Sequence, residues 1–423
     1  MPKLANLVLL APVAILLVGC GADSRSTMSV DESDTEPETN LQPPAEVTKA
    51  VFSEWRDARR GERQAELQNN PYWQWILESE TSAFHANEHF GGPSSFDGNP
   101  VWEASRFGQS KTNLPDGRQV LIAGEHEDHY DPDFFIYNDV IIRHPDGKVD
   151  FLGYPVDAFP PTDFHTATLL DDKIILIGNL GYFDERQPET TQILVLELDT
   201  WQVAKQTSTG DQPGWISRHK PELSVDKKSI LVTGGMIYPA DEELPLMENI
   251  DDWRLHLEDW RWERLTERNW PLFEVTRKDG EPNNLWDMRH AEWEEEFGKV
   301  DLAEAYKEIG QEIDPETLKV LEETSESTPP KDSEALAALY QPDKVPHKVL
   351  PEREVDEDDL SELGVTRIEV DGVIVRYNED SYNILMTIEG ELPEKTINEL
   401  VEDLIGKLDK VEGVEFQAKR IRG

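Results

Sequence analysis

SRHKPELSVDKKSILVTGGMIYPADEELPLMENIDDWRLHLEDWRWERL, residues Ser217–Leu265, is the stretch whose reading decides the fold. Its apolar run Ile230-Leu231-Val232-Thr233 ends in Gly234-Gly235, a pair suited to a tight turn with positive φ and close backbone approach. After a loop, Asp251-Asp252-Trp253 opens a second run, and Trp260 and Trp262 close it. The same order recurs twice upstream. Arg118–Tyr154 carries Val120-Leu121-Ile122 into Ala123-Gly124, then Tyr137-Asn138-Asp139-Val140. Phe164–Val203 carries Ile174 to Ile177 into Gly178-Asn179, then Ile193 to Leu198, then Thr200-Trp201. A loose repeat of this period marks radial or stacked β-units. The runs IILIG and ILVTGG are continuous rather than alternating, as expected of strands covered on both faces.

These three copies resemble kelch repeats. The likeness rests on the apolar strand ending in Gly-Gly, the Asn-Asp-Val-like strand start and the tryptophan after the third strand. Only the third copy keeps both glycines, and the first lacks the tryptophan. The resemblance implies a mainly β chain built on a kelch-like β-propeller over residues 105–290. Propellers typically have about four to eight blades, so three clear units leave closure open. Trp102 to Lys111 with the hairpin Phe273–Gly280 would supply a fourth blade. The alternatives are an incomplete propeller capped by helices, or one completed by a partner.

Working outward, Met1 to Gly19 has one cation, Lys3, followed by the run LANLVLLAPVAILLVG, which has the order of an export signal and is short for a membrane span. Leu17-Val18-Gly19-Cys20 resembles the lipobox of bacterial lipoproteins. That resemblance implies cleavage before Cys20, acylation of the new N-terminus and attachment to the cell envelope, where two or more acyl chains hold a protein stably. Gly21 in place of Asp implies the outer membrane in a Gram-negative cell. Cys20 is the sole cysteine, so an intrachain disulfide and a thiolate metal cluster are excluded. It also leaves no cysteine for the crosslinked tyrosine–cysteine copper site of kelch-fold oxidases. Residues 20–46 are polar, acidic and proline-containing, a tether with nothing to bury. Residues 47–104 read as an N-terminal helical and aromatic segment. One helix is expected from Val47 to about Glu78, interrupted by RRGERQAEL, with Tyr72 to Leu77 docking on the next domain or, alternatively, stacking on sugar rings.

Downstream, residues 291–360 read as an acidic helical linker, with a helix start at Asp314-Pro315-Glu316 and one short helix after Ser325. Residues 361–423 read as a small α+β domain in the order β-β-β-α-β. Asp371-Gly372 is a two-residue turn signal, Tyr382, Ile384, Met386 and Ile388 alternate, and Ile397, Leu400, Leu404, Leu408 and Val411 form one helical stripe.

Charge narrows the function. The 423 residues hold 87 acidic and 41 basic side chains, formally −46, with no basic block, and such a surface repels nucleic acid and anionic lipid. Spread over the whole chain, the excess reads as solubility or adaptation to salt, the alternative being a cation-rich or cationic partner. The densest polar cluster is Glu125-His126-Glu127-Asp128-His129-Tyr130-Asp131-Pro132-Asp133, in a loop after a strand. There His126, His129, Asp131 and Asp133 could hold a divalent cation, or the loop is a solvated acidic turn. His165, Arg218 and His219 occupy matching repeat positions, where a polar side chain bonds between sheets or meets a ligand. Asp163, Asp184, Glu185 and Arg186 read as surface residues. No nucleophile-elbow, P-loop, dinucleotide-binding or HExxH pattern occurs. Two readings follow. One is a non-catalytic, lipid-anchored recognition scaffold with an envelope protein or glycan partner, needing no cofactor. The other is a metal-assisted hydrolase, lyase or isomerase acting on an exported carbohydrate, with Glu125, His126 and His129 at the metal.

Overall fold

The structure, a computed structural model, describes residues 42–93, 98–126, 134–239, 246–298, 302–303, 315, 317–319, 328–353 and 364–422. The export signal, Cys20 and the tether as far as residue 41 lie outside the described residues, as do Asp314 and Glu316. The chain divides into two compact units, with described parts ending at Arg268 and beginning at Asn269. Both are built mainly of antiparallel sheet.

In chain order the N-terminal unit contains α1 (Lys49–Trp55), β1 (Glu66–Leu67), α2 (Pro71–Ser79), α3 (Ala83–Phe90), β2 (Ser110–Asn113), β3 (Gln119–Ile122), β4 (Glu125–His126), β5 (Phe135–Ile136), β6 (Val140–Arg143) and β7 (Val149–Gly153). There follow β8 (Thr166–Leu170), β9 (Lys173–Ile177), β10 (Ile193–Glu197), β11 (Val203–Lys205), β12 (Thr209–Gly210) and β13 (Trp215–Ser217). The last are β14 (Lys220–Leu223), β15 (Ser229–Thr233), β16 (Met236–Tyr238), β17 (Met247–Glu248), β18 (Trp253–His256) and β19 (Arg261–Arg264). Each sequence repeat folds as a four-stranded antiparallel meander: β2-β3-β6-β7, β8-β9-β10-β11 and β14-β15-β18-β19. The first strands β2, β8 and β14 lie side by side.

The hairpin turns repeat as well. Gly147, Trp201 and Trp260 occupy one turn position, with φ of 86°, 58° and 54°. The first repeat's missing tryptophan is thus a glycine meeting the same left-handed backbone demand. In β9 and β10 every apolar residue is buried, because the second sheet packs on both neighbours. Ile174, Leu176, Leu194 and Leu196 meet Val120, Ile122, Val140 and Ile142 of the first sheet. Ile175, Ile177 and Ile193 meet Ile230, Val232, Trp253 and Leu255 of the third. Each such aliphatic chain, fully buried, contributes about 1.5–3 kcal/mol.

In the third sheet burial alternates along β15 and β18, so ILVT is a half-buried strand rather than the continuous one expected. Its other face carries Arg254, His256 and Glu263, joined in a solvent-facing ion network. The first sheet's far face is covered instead: Leu121, Ile141 and Phe151 pack on Phe52, Tyr72, Trp73 and Trp102, with Trp73 stacked on Trp102 at 4.7 Å. The single helix expected over 47–78 is two helices. Thr48 caps α1, Asn70 caps α2 with Pro71 at its first position, and the polar stretch between them is irregular apart from β1. That stretch covers sheet edges that would otherwise be open to pairing. β1 pairs with β7, and the Gln64 amide brackets Val203, donating to its carbonyl at 2.7 Å and accepting its N–H at 3.0 Å.

The C-terminal unit contains β20 (Leu272–Arg277), α4 (Leu285–Phe297), α5 (Ser333–Ala337), β21 (Lys348–Val349), β22 (Val365–Val370), β23 (Val373–Glu379), β24 (Ile384–Ile388), α6 (Glu394–Glu412) and β25 (Phe416–Arg422). Its sheet has the order β21-β22-β23-β24-β20-β25. β22 and β23 join through Asp371-Gly372, both at positive φ, as a tight hairpin demands. The α6 stripe Ile397, Leu400, Leu404, Leu408 and Val411 is buried on the sheet. Two expectations change here. β20, offered as part of a fourth blade within 105–290, lies between β24 and β25, since Phe273 and Val275 bury in this core. Residues 328–353, read as linker, supply Leu336, Leu339, Tyr340 and Val345 to the same core and the edge strand β21. Among the described residues no helix is long and apolar enough to cross a membrane.

Candidate binding surface at the long-loop end

The meanders of the N-terminal unit have two unlike ends. At one, consecutive strands join through short turns such as 114–118, 171–172 and 224–228. At the other, β3 reaches β6, β9 reaches β10 and β15 reaches β18 through long connections. These connections start with Ala123-Gly124, Gly178-Asn179 and Gly234-Gly235. A Cβ on Gly178 would sit 2.4 Å from the Ile216 carbonyl oxygen, and one on Gly235 2.4 Å from that of Ser217. Gly178 is therefore required by the close passage of the next repeat's lead-in, and Gly235 by that of its own repeat's lead-in.

Those lead-ins form the seams. Gly108, Phe164 and Arg218 share one repeat position and positive φ, and Phe164 and Arg218 each donate their N–H to the carbonyl of the preceding member at 3.0 and 2.9 Å. The next position holds Gln109, His165 and His219. His165 Nε2 lies 2.8 Å from Ser110 Oγ of the first sheet, and His219 Nε2 2.9 Å from Thr166 Oγ1 of the second. Both imidazoles are buried, and their Nδ1 atoms have no hydrogen-bond partner among the described residues. Burial pulls the pKa of His165 down to about 4; burial and the neighbouring His165 pull that of His219 down to about 3. Both rings are neutral near pH 7 and closed to a ligand arriving from solvent.

The Asn-Asp positions also bind the framework. Arg106 grips Asp139 through two nitrogens at 2.6 and 3.0 Å and lies 3.3 Å from the Tyr137 ring centroid. In the third repeat Arg264 pairs with Asp251, and Arg268 with Asp252. Asp163, expected at the surface, is wholly buried. Its Oδ1 accepts the Gly181 N–H at 2.7 Å, and burial pushes its carboxyl up, while Gly181, Glu125, Arg186 and Arg218 pull it back.

What faces solvent at this end is aromatic and arginine-rich. Phe107, Phe134 and Phe183 are 61%, 40% and 67% exposed, far more than aromatic rings in a folded chain usually are. Phe107 exchanges two backbone hydrogen bonds with Glu125, both at 2.9 Å. Phe134 meets the Tyr182 ring edge-on, and Phe183 meets Tyr238 likewise. Arg186 lies over Phe183 and Tyr238, and Arg218 lies 3.4 Å from the Phe164 centroid. Connections of all three sheets contribute.

Of the residues singled out from sequence, Glu125 and Arg218 come together around Asp163, and His126 sits beside them in β4, paired with Phe135. His165 and His219 go to the seams instead. His129, Asp131 and Asp133 lie outside the described residues. Among the described residues, no three histidine, cysteine, aspartate or glutamate side chains converge as a metal site. The exposed phenylalanines were missed, although aromatic residues inside the acidic stretches DPDFF and GYFDER were a signal. A scan against protein-family models finds no match, and neither does a search of the curated proteins.

Proposed function

We propose that this chain is an exported, lipid-anchored envelope protein that uses an open, kelch-like β-propeller array as a non-catalytic recognition scaffold. Its partner, an envelope protein or glycan, docks on the long-loop end of the three sheets. The observation that carries this reading is the solvent exposure of Phe107, Phe134 and Phe183, which come from the lead-in and long connection of the first sheet and the long connection of the second, Phe183 being backed by Tyr238 of the third. Exposed aromatic residues beside arginines are the composition of interface hot spots. The seams between sheets repeat in register, which supports one rigid array holding these loops. The polar face of the third sheet supports an array that ends there rather than continuing. Leu17-Val18-Gly19-Cys20 supports the anchor.

Two measurements test it. Alkyne-palmitate should label the wild-type chain and hold it in the membrane fraction, and Cys20→Ser should lose both; a membrane-bound, unlabelled C20S chain refutes the anchor. Photo-crosslinking in intact cells from position 183 should trap a partner, whereas crosslinking from position 256, on the polar face, should not. Trapping only from position 256 refutes the loop-end reading.

A further inference from the structure

We propose that the partner presents an arginine-rich, extended segment to the long-loop end, each guanidinium stacking on an exposed phenylalanine and pairing with a carboxylate beside it. This rests on the loop-end reading and names the chemistry that fits it.

Three observations lead there. First, exposed acid stands beside an exposed ring: Phe183 is followed directly by Asp184 and Glu185, both exposed. A flat ring face with a carboxylate at its rim matches the planar, forked guanidinium better than the compact ammonium of lysine. Second, the chain already uses this pairing at the same end: Arg186 lies over Phe183 and Tyr238, Arg218 over Phe164, and Arg60 over Phe135 at 4.1 Å. Third, the formal charge of −46 attracts a cationic partner from a distance and repels an anionic one. Phe183 with Asp184 and Glu185 beside it, on a strongly acidic chain, is thus complementary in charge to arginine.

The test uses the full chain in neutral detergent and a fluorescent peptide of alternating arginine and glycine, with lysine–glycine and glutamate–glycine counterparts. Fluorescence anisotropy should show the arginine peptide binding, weaker at higher salt, with the lysine peptide about fivefold weaker. Phe107→Ala and Phe183→Ala should each weaken arginine-peptide binding about fivefold, with circular dichroism and melting unchanged. Asp184→Asn with Glu185→Gln should weaken it and flatten its salt dependence. Equal binding of the arginine and lysine peptides overturns the proposal, as does absence of arginine-peptide binding. If the glutamate peptide or a glycan binds and F107A or F183A abolishes that, the partner class is wrong and the loop-end reading stands. If the arginine peptide binds and neither phenylalanine matters, the loop-end reading itself falls.

Discussion

Replacing His165 and His219 together by glutamine should remove most of the stability that the N-terminal unit loses between pH 7 and pH 5. Each imidazole sits in a seam, bonded through Nε2 to a hydroxyl of the preceding sheet. Their folded pKa values, about 4 and about 3, lie below the unfolded value of about 6.5. The sign follows directly. Below about pH 6.5 the unfolded chain takes up protons that the folded chain refuses, so stability is full above that pH and declines as pH falls towards the folded values. Each pH unit in that window costs about 1.4 kcal/mol per histidine. From pH 6.5 to pH 5 the loss is roughly 2 kcal/mol for each ring. At the acid limit it is roughly 3 kcal/mol for His165 and roughly 5 kcal/mol for His219, comparable with the whole stability of many domains. Glutamine keeps a donor for the hydroxyl, carries no titrating proton, and already occupies the equivalent position as Gln109. Urea unfolding followed by tryptophan fluorescence at pH 8, 7, 6 and 5 measures the difference, with the carboxylate background common to both proteins. A double variant whose midpoint falls as steeply as the wild type's between pH 7 and 5 refutes the reasoning.

Gly61→Ala should destabilise the N-terminal unit by about 1–3 kcal/mol, because its Cβ would lie 2.3 Å from the Gly153 carbonyl carbon where the strap crosses the first sheet; an unchanged melting temperature refutes this. In 1 M sodium chloride, which screens the exposed Lys227–Asp171 ion pair, Lys227→Gly should stabilise by roughly 0.5 kcal/mol, the gain from relieving a left-handed backbone less the entropy of glycine. Lys227 has φ 58° at the turn position where the first repeat has Gly117, and differential scanning calorimetry should show a rise of about 1–2 °C. With a formal charge of −46, the melting temperature should climb as sodium chloride is raised from low concentration to 1 M, where the Debye length is about 3 Å; a flat or falling curve contradicts charge repulsion as a limit on stability.

Local demands were written plainly in the sequence. Gly178 and Gly235 mark where a neighbouring backbone passes too close for a side chain, and Asp371-Gly372 marks a turn that needs positive φ twice. The α6 stripe repeats at helical spacing whatever it packs against. The N-terminal apolar run and Cys20 are likewise properties of a short segment. The turn, the helical stripe and the lipobox each depend on atoms a few residues apart, whereas the two glycines flag the close passage of chain 18 to 38 residues away without naming it.

The tertiary structure decided what depends on neighbours distant in the chain. IILI and ILVT look alike as text, yet the first lies between two sheets and the second ends the array against water. β20 has an apolar pattern that would suit either unit, and the C-terminal core claims it. Asp163 reads as a loop carboxylate, but the Gly181 N–H and a seam between sheets draw it inside. His165 and His219 offered the chemistry of a site, and packing turned them into joints between sheets, while Phe107, Phe134 and Phe183 were left facing solvent. Burial is set by which surfaces meet, and periodicity within one strand does not encode that.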